Sequence, residues 1–248
     1  MNLDAVIIPK VLETESMLSF AQERLWFIEE YEQGTNAYHI PLVCELLPNT
    51  DICGIKHSIE SIVTRHEVLR SVIEKRDNKE HAVQVVKEEA LVMEEIYLAK
   101  GIDYKEIIKE EILRPFNLSE EYPLRVTLYY IGKNDLEIDI RDKKKQALSK
   151  VKGYKQYKIN VHEEGRVILL INMHHIASDG WSVDILLREL VAYYAAYIKK
   201  DITFELPSLP IQYKDYAVWQ RNYLQGRRLE EQLEYWQNKL SDYASLEL

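Results

Sequence analysis

Val167-Ile168-Leu169-Leu170-Ile171-Asn172-Met173-His174-His175-Ile176-Ala177-Ser178-Asp179-Gly180-Trp181-Ser182 joins an apolar run to a long helical pattern through a polar corner. The run from Val167 to Met173 is continuously apolar in character, the mark of a strand covered on both faces. Beyond the corner, Val183 to Lys199 reads as a helix with Ile185, Leu186, Leu190, Tyr193, Tyr194 and Tyr197 on one broad core-packing face. Successive side chains of an extended segment alternate faces, so His174 and His175 cannot point the same way: one enters a cavity while the other packs or faces away. Asp179 and Gly180 then make the turn. Glycine tolerates backbone angles that other residues do not, and a short acidic residue at a helix start accepts hydrogen bonds from the orphan N–H groups there.

Working outward, Ser19 followed by Gln22 is a capping-box pattern, so the first helix starts there and buries Leu25 and Ile28 on one face. His39 to Leu46 reads as a strand. Asp51 opens the next helix, in which Ile55, Ile59, Ile62, Val63 and Leu69 recur at helical spacing. Arg65 and Arg70 fall toward its C-terminal half, the end that suits their charge. Val83 to Val86 and Leu124 to Tyr130 have strand character. Pro207 and Pro210 separate the long helix from two more, around Asp215 to Tyr223 and Leu229 to Leu240. Strands interspersed with long helices imply a sheet layered by helices, an α/β (α+β) architecture.

With 248 residues, 46% of them hydrophobic, the chain can bury a substantial core. A single lobe is expected over residues 16–248, after an N-terminal extension over 1–15. The net charge of -9 argues against a nucleic-acid binder. Lys143 to Lys145, with Lys150, Lys152, Lys155 and Lys158, is a local exception and reads as a solvated loop. The tyrosines are scattered and read as packing residues with polar tips, not as a base-stacking platform. Two cysteines and no charged-then-apolar leader point to the cytoplasm rather than to secretion. No apolar stretch approaches the roughly 18 residues that span a bilayer, so membrane insertion is not expected.

The corner itself admits a bland reading, since a histidine beside an apolar strand is often a satisfied core or surface residue and Asp-Gly is common turn chemistry. A metal reading is weaker. Adjacent histidines do not easily ligate one ion together, and Cys44 and Cys53 lie far away without ligand-like spacing. No G-x-S-x-G elbow is present to hold a nucleophilic serine.

The element from His174 to Ser182 resembles the HHxxxDG active-site motif of nonribosomal peptide synthetase condensation domains, which the wider chloramphenicol acetyltransferase-like superfamily shares. Leu18 to Trp26 resembles that family's opening motif, Arg65 to Arg70 its second and Tyr213 to Trp219 its fourth, in the right order. Asn36 to Pro41 resembles condensation domains that join two L-residues, rather than epimerisation or heterocyclisation relatives. The resemblance implies an acetyltransferase-like α/β sandwich lobe. It also sets out two departures. The family's second lobe, with its later motifs, has no counterpart, so the chain looks like half of an enzyme. Between Tyr130 and Val167, where relatives have a tight hairpin, an insertion of about thirty residues (about 133–165) exceeds ordinary hairpin loops.

By the same resemblance, His175 is the catalytic histidine, projecting into a tunnel between the lobes, and His174 supports the loop or packs. The implied reaction is attack by the α-amine of a carrier-bound aminoacyl thioester on a carrier-bound acyl or peptidyl thioester. His175 takes the proton from the attacking nitrogen, or positions the amine and stabilises the tetrahedral intermediate. The N–H of Gly180 is a candidate oxyanion donor. Asp179 is expected to pair with an arginine of the second motif, Arg65 first and Arg70 next, and so to aim His175. No metal or directly bound cofactor is implied: phosphopantetheine arrives on donor and acceptor carrier domains. These carriers, the second lobe and neighbouring synthetase domains are the implied partners. Two other functions are open: a non-catalytic half-domain for carrier docking or lobe assembly, and an HHxxxDG acyltransferase that uses CoA.

Overall fold

The computed structural model describes residues 7–32, 34–76, 82–99, 101–132 and 165–241, so all of the expected insertion except Gly165 lies outside the described residues. In chain order the strands are β1 (Glu15–Met17), β2 (His39–Leu46), β3 (Ser71–Glu74), β4 (Val83–Val86), β5 (Met93–Leu98), β6 (Leu124–Ile131) and β7 (Arg166–His174). The helices are α1 (Phe20–Glu32), α2 (Ile52–Arg65), α3 (Tyr104–Leu113), α4 (Gly180–Ile198), α5 (Tyr213–Tyr223) and α6 (Arg227–Leu240). A larger mixed sheet has the order β2-β7-β6-β5, with β5 parallel to β6 and the other pairs antiparallel. A smaller antiparallel sheet has the order β1-β4-β3.

The unbroken apolar run of β7 follows from its position between β2 and β6, with helices on both faces. Val167, Leu169, Ile171 and Met173 face Ile55, Ile59, Ile62 and Val63 of α2 and Leu186 of α4. Ile168 and Leu170 face the opposite way, onto Ile108 of α3 and Leu98. Each fully buried aliphatic side chain here contributes roughly 1.5–3 kcal/mol through removal of apolar surface from water. Leu128 and Leu170 are 0% exposed, so this central pair of strands is where that stabilisation concentrates. The strand Leu124–Ile131 is likewise buried on both faces, not on alternate residues as a half-exposed strand would be.

The two helices on one face of the sheet cross closely at Gly54. A Cβ there would lie 2.9 Å from ring atoms of both Tyr194 and Tyr197, so the missing side chain sets the α2–α4 spacing. Tyr194 cannot easily move aside, because its hydroxyl accepts the Asp51 N–H at 2.9 Å.

Local signals set the helix starts. Asp51 accepts the Gly54 N–H at 3.0 Å, while Ser19 and Gln22 make a reciprocal capping box, with Gln22 N to Ser19 Oγ at 3.1 Å and Ser19 N to Gln22 Oε1 at 3.0 Å. The expected inward face of α1 needs correction. Leu25 and Ile28 are only half-buried, and the buried residues of the helix are Gln22 and Glu29, two polar side chains whose hydrogen bonds make burial tolerable. Ile185 of α4 is also 40% exposed instead of packed, since α4 covers the sheet with one edge and leaves the other open. Leu69 is buried as expected, but in a short 3-10 turn after α2 ends at Arg65.

Candidate active site

Strand parity decides which histidine is buried. Ile168, Leu170, Asn172 and His174 share one face of β7, so His174 points beneath the sheet, where it is 0% exposed. The chain turns immediately afterwards. Ala177 N donates to His174 O at 3.0 Å, closing a turn with His175 and Ile176 at its two central positions. This turn is anchored on both sides: His174 N donates to Pro123 O at 2.9 Å and His175 N to Tyr38 O at 2.8 Å. Ile176 is buried in the cluster with Leu18, Ile73, Phe116 and Leu118. Between two buried neighbours, the His175 side chain alone is exposed.

The His174 ring sits among Tyr38, His39 and Phe116, with centroid separations of 6.3, 6.2 and 5.7 Å. Its Nε2 lies 3.0 Å from Glu29 Oε1 on α1, and its Nδ1 accepts the Ile176 N–H at 3.0 Å. Burial pushes this imidazole below its usual range, with the neighbouring Glu29 pulling the other way and His39 and His175 adding to the fall. Behind Phe116, the Arg125 guanidinium stacks at 3.9 Å from the ring centre and is held by Glu121 at 2.6 Å.

Asp179 and Gly180 start α4 as expected. The Asp179 carboxylate accepts from Ser182 Oγ at 2.6 Å and Ser182 N at 2.8 Å. The Ser182 hydroxyl and N–H hold the Asp179 carboxyl below the usual aspartate range, and the nearby His175 imidazole adds to this. Gly180 is the first helical residue, and a Cβ at that position would meet nothing of this chain within 4 Å. The expected ion pair between Asp179 and Arg65 is not formed. Arg65 Nε donates to Glu189 Oε1 on α4 at 3.0 Å, and His66 Nε2 lies 2.7 Å from Oε2 of the same residue. Arg70 is no substitute, because its Nη1 donates to Lys87 O at 2.6 Å, beside β4. The physical reason is local: a capping aspartate whose oxygen is already taken by its own helix start has no need of an arginine, and Arg65 finds a carboxylate one packed helix away.

The stretches that resemble family motifs form a chain of contacts that ends on this turn. Gln22 of the first reaches Ile176 O at 3.5 Å, and Gln84 of β4 bonds Gln22 at 3.4 Å. Tyr213 of the last bonds Ser19 Oγ at 3.0 Å, and Arg221 on the same helix donates to Leu18 O at 2.8 Å. Gln212 joins the second to the last by donating to Arg65 O at 2.9 Å and accepting from Glu67 N at 3.2 Å. Glu29, Glu189, Gln84 and Tyr213 therefore belong to the site's support, although spacing alone singles out none of them. Two open cavities, of about 500 and 1210 Å³, lie elsewhere: one beside Arg125 and Tyr122, the other between α2, α4 and residues 200–209. Among the described residues no group of His, Cys, Asp and Glu is suited to hold a metal ion, and no helix is long and apolar enough to cross a membrane.

Known proteins agree with this arrangement. The family described as Condensation domain matches residues 12–141 and 137–248. The chain is 35% identical over 232 residues to bassianolide nonribosomal cyclodepsipeptide synthetase of Beauveria bassiana, covering 93% of this chain and 6% of that protein. It is 32% identical over 249 residues to enniatin synthetase of Fusarium oxysporum, covering 97% of this chain and 7% of that protein. Among solved structures, the X-domain in its complex with OxyB from teicoplanin biosynthesis matches with a TM-score of 0.73 at 20% identity, over 98% of this chain and 46% of that one. The starter condensation domain of rhizomide synthetase RzmA matches with a TM-score of 0.69 at 14% identity, over 94% of this chain and 49% of that one. The chain thus spans a small part of its curated relatives and just under half of these solved domains, and its mixed, helix-layered sheet has the fold of the corresponding part. With the motif turn, its supporting stretches and the matched residues in agreement, the chain belongs to the condensation domain family.

Proposed function

We propose that this chain is the N-terminal lobe of a peptide-bond-forming condensation domain, over residues 16–248, and that His175 is its catalytic side chain. The observation that carries this reading is the turn itself: every residue from His174 to Ile176 is tied down, and only the His175 imidazole is presented outward. In this reading the α-amine of an aminoacyl thioester attacks the carbonyl of an acyl or peptidyl thioester, both carried on phosphopantetheine arms of carrier domains. A C–N bond forms, the C–S bond breaks and the thiol of the donor arm leaves. His175 accepts a proton from the attacking nitrogen or holds the amine in line, an effect worth roughly 10²–10⁴-fold in rate for a positioned acid–base group. The N–H of Gly180, at the positive end of α4, is offered to the developing oxyanion. Open space around Gly180 leaves room for that approach. His174, Asp179 and Arg65 shape the turn and the two helices behind it.

Exposure of His175 supports the half-site reading. On an open face its hydrogen bonds compete with water, and proximity, which supplies much of the barrier reduction in such transfers, requires walls on both sides of the substrates. The donor and acceptor carriers and the second lobe are accordingly the partners of this chain. The test loads both carriers and follows the dipeptidyl thioester by mass spectrometry, first with the two-lobed domain, then with this chain alone, then with this chain plus a separately made second lobe. Product is expected from the first and third. Robust product from the chain alone would show that one lobe suffices, and wild-type turnover by the two-lobed His175→Ala domain would defeat the catalytic assignment.

A further inference from the structure

His174 engages through both ring nitrogens, and the chemistry of its partners leaves one arrangement of protons. The Ile176 N–H can only donate, so the Nδ1 that receives it at 3.0 Å bears the lone pair. The ring proton of the neutral imidazole therefore sits on Nε2, facing Glu29 Oε1 at 3.0 Å. The other tautomer would set Nδ1–H against Ile176 N–H and turn a bare lone pair toward the glutamate. Glu29 is well placed to prevent this. It is buried, and its second oxygen accepts the Thr35 N–H at 3.2 Å, which fixes the carboxyl plane at the end of α1. Ring packing alone does not distinguish the tautomers, because Tyr38, His39 and Phe116 meet the imidazole as tilted or edge-on neighbours at centroid distances of 5.7 Å and more.

We propose that Glu29 is a positioning residue: by keeping the His174 proton on Nε2 it frees Nδ1 to accept the Ile176 N–H, and this bond sets the turn from which His175 projects. Glu29 touches no substrate and acts through His174. The effect on catalysis rests on the condensation reading above, whereas the tautomer and the turn do not.

The two parts separate in the experiment. A long-range ¹H–¹⁵N spectrum of the ¹⁵N-labelled chain at neutral pH reports which His174 nitrogen carries the proton, the signal being assigned by its loss in His174→Gln. Protonated Nε2 is expected, and protonated Nδ1 in the unaltered chain would overturn the inference without any variant. Glu29→Leu fills a similar space but offers no acceptor. It should mix the tautomers and speed hydrogen exchange at Ile176, while Glu29→Gln, which retains an acceptor oxygen, should keep the Nε2 proton. In the two-lobed domain, Glu29→Leu should lower kcat by about 10- to 100-fold at nearly unchanged KM, as expected for a misplaced catalytic group, with most of the loss recovered in Glu29→Gln. An unchanged tautomer in Glu29→Leu, or an unchanged kcat once the tautomer is lost, would overturn the positioning role. If Glu29→Leu does not fold, the unaltered chain and Glu29→Gln still decide the tautomer. An active His175→Ala domain would strike at the condensation reading and leave the tautomer result standing.

Discussion

Arg65, the last residue of α2, donates to Glu189 of α4 at 3.0 Å, with both side chains largely buried at 14% and 12% exposure. Because α2 and α4 cover the same face of the sheet, this pair fastens the helix that follows the histidine turn to its neighbour. Removing one partner leaves a poorly solvated charge behind, so Arg65→Ala and Glu189→Ala should each cost about 2–3 kcal/mol in urea denaturation. A double-mutant cycle should find coupling between Arg65 and Glu189, and none between Arg65 and Asp179. Measured coupling in the second pair would restore the ion pair that the resemblance implies.

Asp179 stabilises α4 as a cap. Asp179→Ala should cost about 1 kcal/mol at neutral pH. Since the Ser182 hydroxyl and N–H hold the folded carboxyl below its usual range, this contribution is present above the unfolded aspartate pKa of about 3.9 and is lost as pH falls through the lower folded value. Denaturation of the two proteins should therefore differ at pH 7 and converge in strong acid. A difference that persists unchanged at pH 2 would contradict the cap.

His174 should give the opposite chemical signature with the same direction on the pH axis. Burial keeps its imidazole neutral, so the unfolded chain binds the proton more readily, around the ordinary histidine pKa of about 6.5. Its contribution to stability is full above that value and falls as pH drops through the lower folded pKa. His174→Gln should be less stable at pH 7.5 and show a flatter stability profile below about pH 6.5, as followed by thermal melts. An equally steep profile would place the responsible group elsewhere.

Gly54→Ala tests the helix crossing. The added methyl group would press on Tyr194 and Tyr197 at 2.9 Å and force α2 and α4 apart or one ring out of place. Overpacking of this kind costs about 1–3 kcal/mol, and a neutral effect in denaturation would mean that the rings yield freely.

Much of this molecule is legible from pattern alone, and the exceptions have definite causes. The run Val167 to Met173 reveals a doubly covered strand because apolar clusters pack on both of its faces. The Ser19–Gln22 box and Asp51 announce helix starts because capping is local chemistry. Helix α3 is absent from that reading even though its signal is present: Asp103 accepts from Lys105 N and Glu106 N ahead of Ile107, Ile108 and Ile112. Strand β5 hides because Glu94 and Glu95 interrupt it, one on each face of an edge strand. In the site, alternation separates the two histidines, but their partners come from distant elements. Glu29 lies on the same helical stripe as Gln22 and Leu25, and a polar residue repeated on an inward stripe is the available clue. For Glu189 no clue exists, since one of the two carboxylates along α4, beside Asp184, looks like any solvated charge until α2 is packed beside it.

The antiparallel pairing of β6 with β7 brings Leu124 opposite Met173 at one end and Ile131 opposite Arg166 at the other. His174 stands at the first end, so eight residues of strand, about 26 Å at about 3.3 Å each, separate it from the Arg166 end of β7. For protein engineering, the exposed Arg166 end of β7 is thus a port: a fluorescent reporter or an affinity handle attached at that position would sit a full strand length from the histidine turn and leave its geometry undisturbed.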